Sequence, residues 1–180
     1  MGGTPNEVTP GGGDLAAFVV RPLVRADLAR LADLRWKFLG ETAHLEPRLR
    51  LAVDVRDRLA TTISVWAEQD ARETLVGAAS QDPETLLGYA TGLFSVWPPI
   101  WRAQRVGDVG EAFVLPEARR RGLGRLLLQG VLSGLSRRGA EVLRAAIPTR
   151  LEGSLGLARS LGFTPLLRVL EKGAPAPGVR

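Results

Sequence analysis

Three arginines, Arg119, Arg120 and Arg121, run straight into Gly122-Leu123-Gly124 and then into a leucine-rich amphipathic stretch that reaches Gly139. An apolar strand end, Phe113 to Leu115, stops at Pro116 just before them. A strand that ends, a glycine turn and a helix that begins present backbone N–H groups as a converging cluster. The positive end of the helix dipole points the same way, so the turn favours an anion, most often a phosphate. It is not a Walker loop, because no Gly-Lys-Ser/Thr occurs and neither lysine, Lys37 or Lys172, is near. Nor is it a dinucleotide fingerprint, since Leu127 stands where the third glycine belongs.

The elements around this turn follow from apolar spacing and from glycine and proline punctuation. Phe18-Val19-Val20-Arg21 reads as a short strand stopped by Pro22. Asp27 opens a helix with Leu28, Leu31, Leu34 and Phe38 on one stripe. A second helical stretch follows Pro47, with Leu49, Val53, Arg56, Leu59, Ile63 and Trp66 as its repeating face. Thr74 to Ser80 and Leu86 to Val96 form a hairpin around a Gln81–Glu84 turn, and Trp97-Pro98-Pro99-Ile100-Trp101 makes a stiff aromatic loop. That loop plugs the end of the sheet, or else forms a pocket wall or dimer contact. Val106 to Leu115 is the strand that feeds the glycine turn. Leu123 to Arg138 is a helix, with Gly130 and Gly134 for close packing and Gly139 as its cap. Glu141 to Ile147 is a strand, Ser154 to Leu161 a short helix ending at Gly162, and Phe163 to Glu171 a final strand. The order predicts an α/β domain on one mixed sheet over residues 14–173, between flexible tails at 1–13 and 174–180.

At 180 residues the chain fits one domain, and its 45% hydrophobic and 24% charged content are globular values. It has no cysteine, which removes disulfides, thiolate nucleophiles and cysteine metal sites together. The uncharged stretch from Leu86 to Trp101 is 16 residues long and broken by Pro98-Pro99, too short for a membrane span. No leader is visible, so a soluble cytoplasmic protein without a membrane partner is expected. The net charge is +5, and all basic residues but two are arginine. Only residues 119–121 form a basic run, with no aromatic residues interleaved, so solvated surface is preferred over a nucleic-acid partner.

Val114-x-Pro116-Glu117-x-Arg119-x-x-Gly122-x-Gly124 resembles the acyl-CoA-binding motif of the GNAT N-acetyltransferase superfamily. Ala158-Arg159-Ser160-Leu161-Gly162-Phe163 is similar to that family's Tyr-x-x-Leu-Gly-Phe ending, and the element order agrees from Phe18 to Glu171. The resemblance implies a single GNAT (acyl-CoA N-acyltransferase) domain, its mixed sheet carrying a splayed strand pair flanked by helices. It implies a bulge before the motif, with the pantetheine arm of acetyl-CoA bonded to backbone groups of Ala112, Phe113 and Val114. The pyrophosphate would lie against the amides of Arg120, Arg121, Gly122, Leu123, Gly124 and Arg125. Arg119 matches the motif's Gln/Arg position; Arg120, Arg121 and Arg125 either add charge to the phosphates or point to solvent, with solvent preferred for Arg120.

The implied reaction is direct acyl transfer, most simply of acetyl, from coenzyme A to an acceptor amine, with no metal. A base must take a proton from the amine. Asp108 and Glu111 are the candidates, with Glu111 preferred; strand alternation puts them on opposite faces, so the bulge register decides which one looks into the pocket. The family's tyrosine acid is replaced by Ala158, and the asparagine seven residues earlier by Leu151. Tyr89, the only tyrosine, sits on the earlier hairpin and is not assumed to substitute, so Ser154, Ser160 or water would have to deputise. The alternative is a weak or inactive acyl-CoA-binding sensor or partner protein. His44, the lone histidine, falls near the acceptor side, and a homodimer is left open.

Overall fold

The computed structural model describes residues 17–46, 48–100 and 102–171; both expected tails lie outside them. The elements are β1 (Phe18–Pro22), α1 (Leu28–Leu45), α2 (Val55–Glu68), β2 (Arg72–Ala79), β3 (Asp82–Val96), β4 (Arg105–Val114), α3 (Leu123–Arg137), β5 (Val142–Ala145) and α4 (Glu152–Ser160). One sheet runs in the order β1-β2-β3-β4-β5, antiparallel up to β4, with β4 and β5 parallel. This is the expected α/β domain on a mixed sheet.

Each face of the sheet is covered by apolar helix stripes. Leu31 and Leu34 of α1 and Ile63 of α2 pack on Val76, Tyr89 and Phe113. On the other face Leu123, Leu127, Val131 and Leu135 of α3 pack on Ala90 and Val109. Close approach of α3 depends on missing side chains: a Cβ at Gly77 would lie 2.6 Å from Leu123 Cδ1, and one at Gly92 2.7 Å from Val131 Cγ1.

Three expectations are corrected. The β2–β3 turn is Ser80-Gln81 alone, because Asp82, Pro83 and Glu84 already belong to β3. Leu49, Leu51 and Val53 precede α2 and are exposed; without a surface to pack on, apolar spacing does not hold a helix. Phe163 to Glu171 forms no strand, because the sheet ends at β5 and the stretch has no ladder partner. Among the described residues no helix is long and apolar enough to cross a membrane.

Candidate functional site

The register between β3 and β4 contains one irregularity, and the site is built on it. Ala90 faces Ala112 and Gly92 faces Val109, so Thr91 alone opposes both Gly110 and Glu111. That is a β-bulge, as the motif resemblance implied. Thr91 Oγ1 accepts the Glu111 amide at 3.0 Å, and a Cβ on Gly110 would lie 2.6 Å from the same oxygen. The β4–β5 ladder runs from Val106 with Val142 only to Val109 with Ala145. Beyond the bulge the two parallel strands part, and residues 110–114 have no β5 partner. Backbone groups on that side of Ala112, Phe113 and Val114 face the gap rather than a strand. The Val114 carbonyl already accepts from Arg119 Nε at 2.8 Å.

The extra residue also changes side-chain parity. Tyr89, Thr91, Leu93 and Ser95 alternate onto one face of β3; Tyr89 faces Phe113, and Leu93 faces Asp108. Asp108 and Glu111 therefore share the α1/α2 face instead of lying on opposite faces, a correction that the bulge makes physically necessary. Their surroundings differ. Glu111 accepts two bonds from Arg35 Nε, at 3.1 and 2.9 Å, one from Arg35 Nη2 at 2.8 Å, and one from Tyr89 Oη at 2.8 Å. Asp108 accepts a single bond from Ser95 Oγ at 3.2 Å. Arg35 and Arg72 both lie against the Trp66 ring, 4.1 and 4.8 Å from its centroid. Burial lowers the Arg72 pKa from its usual value, partly offset by Glu111. Burial first, then the Glu111 charge and hydrogen bond, hold the Tyr89 phenol well above the ordinary tyrosine range, so it stays protonated.

At the mouth of the gap, α3 begins without a side-chain cap, at Gly122 with φ +97°. Arg120 also has a positive φ of 62°. The first backbone bond that closes the helix runs from the Leu126 amide to the Gly122 carbonyl. The amides of residues 120–125 find no acceptor among the described residues, and α3 adds the positive end of its dipole. Unpartnered amides at a helix start favour an anion. A Cβ at Gly124 would sit 3.6 Å from both Val114 Cγ2 and Leu157 Cδ2, between β4 and α4. Leu123 itself is buried in the core.

The arginines have separate tasks. Arg119 reaches Glu41 Oε2 of α1 at 2.6 Å, tying that helix to the end of β4. Arg120 is exposed. The Arg121 guanidinium stacks 4.9 Å over Phe18, and Arg125 Nη2 donates to Ser160 Oγ at 2.8 Å, linking α3 to α4. Ala158 is a buried methyl, and Ser160 Oγ donates in turn to the Leu157 carbonyl at 2.7 Å. His44 is exposed on the last turn of α1, away from these bonds. Sequence reading missed Arg35 and Arg72. Arg35 adjoins the Leu31, Leu34, Phe38 stripe, the one signal that it faces inward; its partner lies 76 residues away.

A model of the Acetyltransferase (GNAT) family matches residues 29–163. No curated protein matches the chain. Among solved structures, the aminoglycoside N-acetyltransferase AAC(6')-Iy in complex with CoA superposes with a TM-score of 0.68 at 18% identity, over 87% of this chain and 94% of that one. A mutant of the BH1408 protein from Bacillus halodurans reaches 0.77 at 13% identity, over 87% and 99%. A "predicted acetyltransferase" with acetyl-CoA from Clostridium acetobutylicum reaches 0.70 at 14% identity, over 87% and 96%. At these identities the likeness is one of fold.

Proposed function

The chain belongs to the acetyltransferase (GNAT) family, and from that premise we propose that it is a cytoplasmic enzyme moving an acetyl group from acetyl-CoA directly to an amine of a small molecule or peptide. The observation that carries this reading is the parting of β4 from β5 beside six unpartnered amides at the start of α3. The gap suits the pantetheine arm, with backbone groups of Ala112, Phe113 and Val114 as its partners. The amides of Arg120, Arg121, Gly122, Leu123, Gly124 and Arg125 suit the pyrophosphate. Arg119 acts as a brace through Val114 and Glu41. Arg121 and Arg125 contribute positive charge at the rim.

Acetyl-CoA, when bound, supplies an activated carbonyl and a thiolate leaving group. The amine nitrogen bonds to the carbonyl carbon, the carbon–sulfur bond breaks, and one amine proton must leave. Asp108 is the freer of the two carboxylates: a single neutral hydroxyl occupies it, whereas Glu111 holds a bidentate arginine and a phenol. Asp108 takes the proton, directly or through water, and Glu111 positions the bulge. Arg35 is paired with Glu111, while Arg72 donates to Gln69 and feels the Glu111 charge only at a distance. The leaving thiolate meets no tyrosine at position 158 and takes its proton from water.

A second reading, acyl-CoA binding without turnover, is favoured by the buried methyl of Ala158 and by Ser160 being committed to Arg125 and Leu157. One pair of assays separates them. Saturating acetyl-CoA should raise the thermal midpoint, as a ligand of the native state does; no shift would refute both readings. Thiol release against an amine panel has no protein background, because the chain has no cysteine. Release supports transfer, and silence across the panel supports binding alone.

A further inference from the structure

We propose that the amine accepted at Asp108 belongs to a molecule that also carries a carboxylate, and that Arg144 holds this carboxylate, so that the acceptor is an amino acid. The inference rests on the transfer reading above and names its substrate class. Its basis is a carboxylate and a guanidinium on adjacent strands that do not neutralise each other.

Strand register brings the two groups together. Asp108 faces Arg144 in the parallel β4–β5 ladder, one rung before the last pair, Val109 with Ala145, after which the strands part. Paired residues point to the same face of a sheet, so Arg144 shares the α1/α2 face with Asp108. On β3 that face continues through Leu93 and Ser95. Trp97, two residues on, keeps the parity, its amide donating to the Gln104 carbonyl at 2.7 Å. The helices α1 and α2 close over Val76, Tyr89 and Phe113. Ser95, Trp97, Asp108 and Arg144 are left half-buried, an open site at the closed end of the gap.

The state of Arg144 sets the chemistry. Its guanidinium lies 4.0 Å over the Trp97 ring. Such a stack occupies the planar face and leaves the N–H donors at its edge free. Among the described residues none of those donors meets an acceptor, and Arg144 makes no ion pair with the neighbouring Asp108. Other arginines of this face are already committed, Arg35 to Glu111 and Arg72 to Gln69. A guanidinium held by a ring loses little freedom on binding, and its fork matches a carboxylate through two hydrogen bonds. Asp108 and Arg144 thus complement an ammonium and a carboxylate on one small molecule. The ammonium gives its proton to Asp108 before the nitrogen attacks the thioester, and the carboxylate stays on Arg144 throughout.

The test is thiol release from acetyl-CoA over matched pairs, each an amino acid and the corresponding amino acid amide, which differ in the negative charge. For the best pair the wild type should favour the acid by about tenfold or more in kcat/KM, carried by KM, as a charged hydrogen-bond pair is worth. Arg144→Met, which keeps the stem and removes the fork, should bring that ratio close to unity. Arg144→Lys should keep part of it, because the charge survives without the fork. Undiminished thermal stabilisation by acetyl-CoA in both variants checks that fold and cofactor site are intact. A wild type that prefers the amides, or an Arg144→Met variant that keeps the preference, overturns the proposal. Thermal melts of the CoA-loaded protein with the same pairs separate it from the transfer reading. A rise with the acid, absent with the amide and lost in Arg144→Met, supports the carboxylate site even if no thiol is released, and silence in release then counts against transfer alone. Release without preference supports transfer and refutes the site; neither rise nor release with any pair refutes it too.

Discussion

Replacing each of the two carboxylates by its amide should separate support from chemistry. Glu111→Gln keeps the shape but removes the charge that is paired with Arg35 and acts on Arg72. The Arg35–Glu111 pair is mostly enclosed, its side chains 15 and 21% exposed, with contacts down to 2.8 Å. Breaking a buried pair costs about 3–5 kcal/mol, whereas an exposed one is worth about 0–1. Here partial solvation and the surviving amide oxygen reduce the cost to about 2 kcal/mol. For a chain of this size that lowers the thermal midpoint by roughly 4–8 °C. Asp108→Asn disturbs one 3.2 Å bond to Ser95 and should cost at most about 1 kcal/mol. The kinetic ranking is reversed. Loss of a general base costs about 10²–10⁴ in rate, so Asp108→Asn should lower kcat/KM at least about a hundredfold. Glu111→Gln, assayed well below its midpoint, should stay within about tenfold of the wild type. Thermal melts and thiol release on the same preparations read both quantities. If Glu111→Gln loses a hundredfold in kcat with its midpoint unchanged, the division of roles is wrong.

Further expectations concern the cradle, the core and the entry to α1. Gly122→Val should abolish thermal stabilisation by acetyl-CoA, since φ +97° is closed to a β-branched residue; a wild-type stabilisation would exclude the turn as the pyrophosphate site. Gly124→Leu should do the same by filling the space between Val114 and Leu157 while leaving the melt without ligand nearly unaltered. Gly77→Ala drives a methyl to 2.6 Å from Leu123 and should cost about 1–3 kcal/mol in denaturant unfolding. Asp27 is buried and accepts from Arg21 at 2.6 and 2.9 Å and from the Val24 amide at 3.0 Å. The Arg21 hydrogen bond is the main cause that holds its pKa below the usual carboxylate value. A depressed acid stabilises fully above its unfolded pKa, about 3.9, and loses that contribution as pH falls through the lower folded value. Asp27→Asn should therefore cost about 2–3 kcal/mol at neutral pH, and the difference from wild type should shrink below about pH 4. A difference that persists undiminished at acid pH would show that the charge is not its source.

Much of the architecture could be read from the residues because it depends on local rules. Helix stripes such as Leu28, Leu31, Leu34 and Phe38 and the glycine turn into α3 need only periodicity and φ preference. The hairpin turn and the start of α2 differ from their local signals, because pairing overrides the loop residues Asp82–Glu84 and missing packing overrides the helical spacing of Leu49–Val53. The segment from Phe163 to Glu171 departs from its local signal in another way. Its composition is that of a strand, but a strand exists only where another backbone pairs with it.

A glycine-led helix start after β4, with its first amides left unpartnered among the described residues, follows from neighbours in the chain. How the carboxylates of β4 are placed and paired follows from tertiary contacts instead. One extra residue in β4 brought Asp108 and Glu111 to the same face, and α1 delivered Arg35 to Glu111 from 76 positions away. Parity across a bulge and contact between distant segments are properties of strand register and helix packing. No local spacing encodes them.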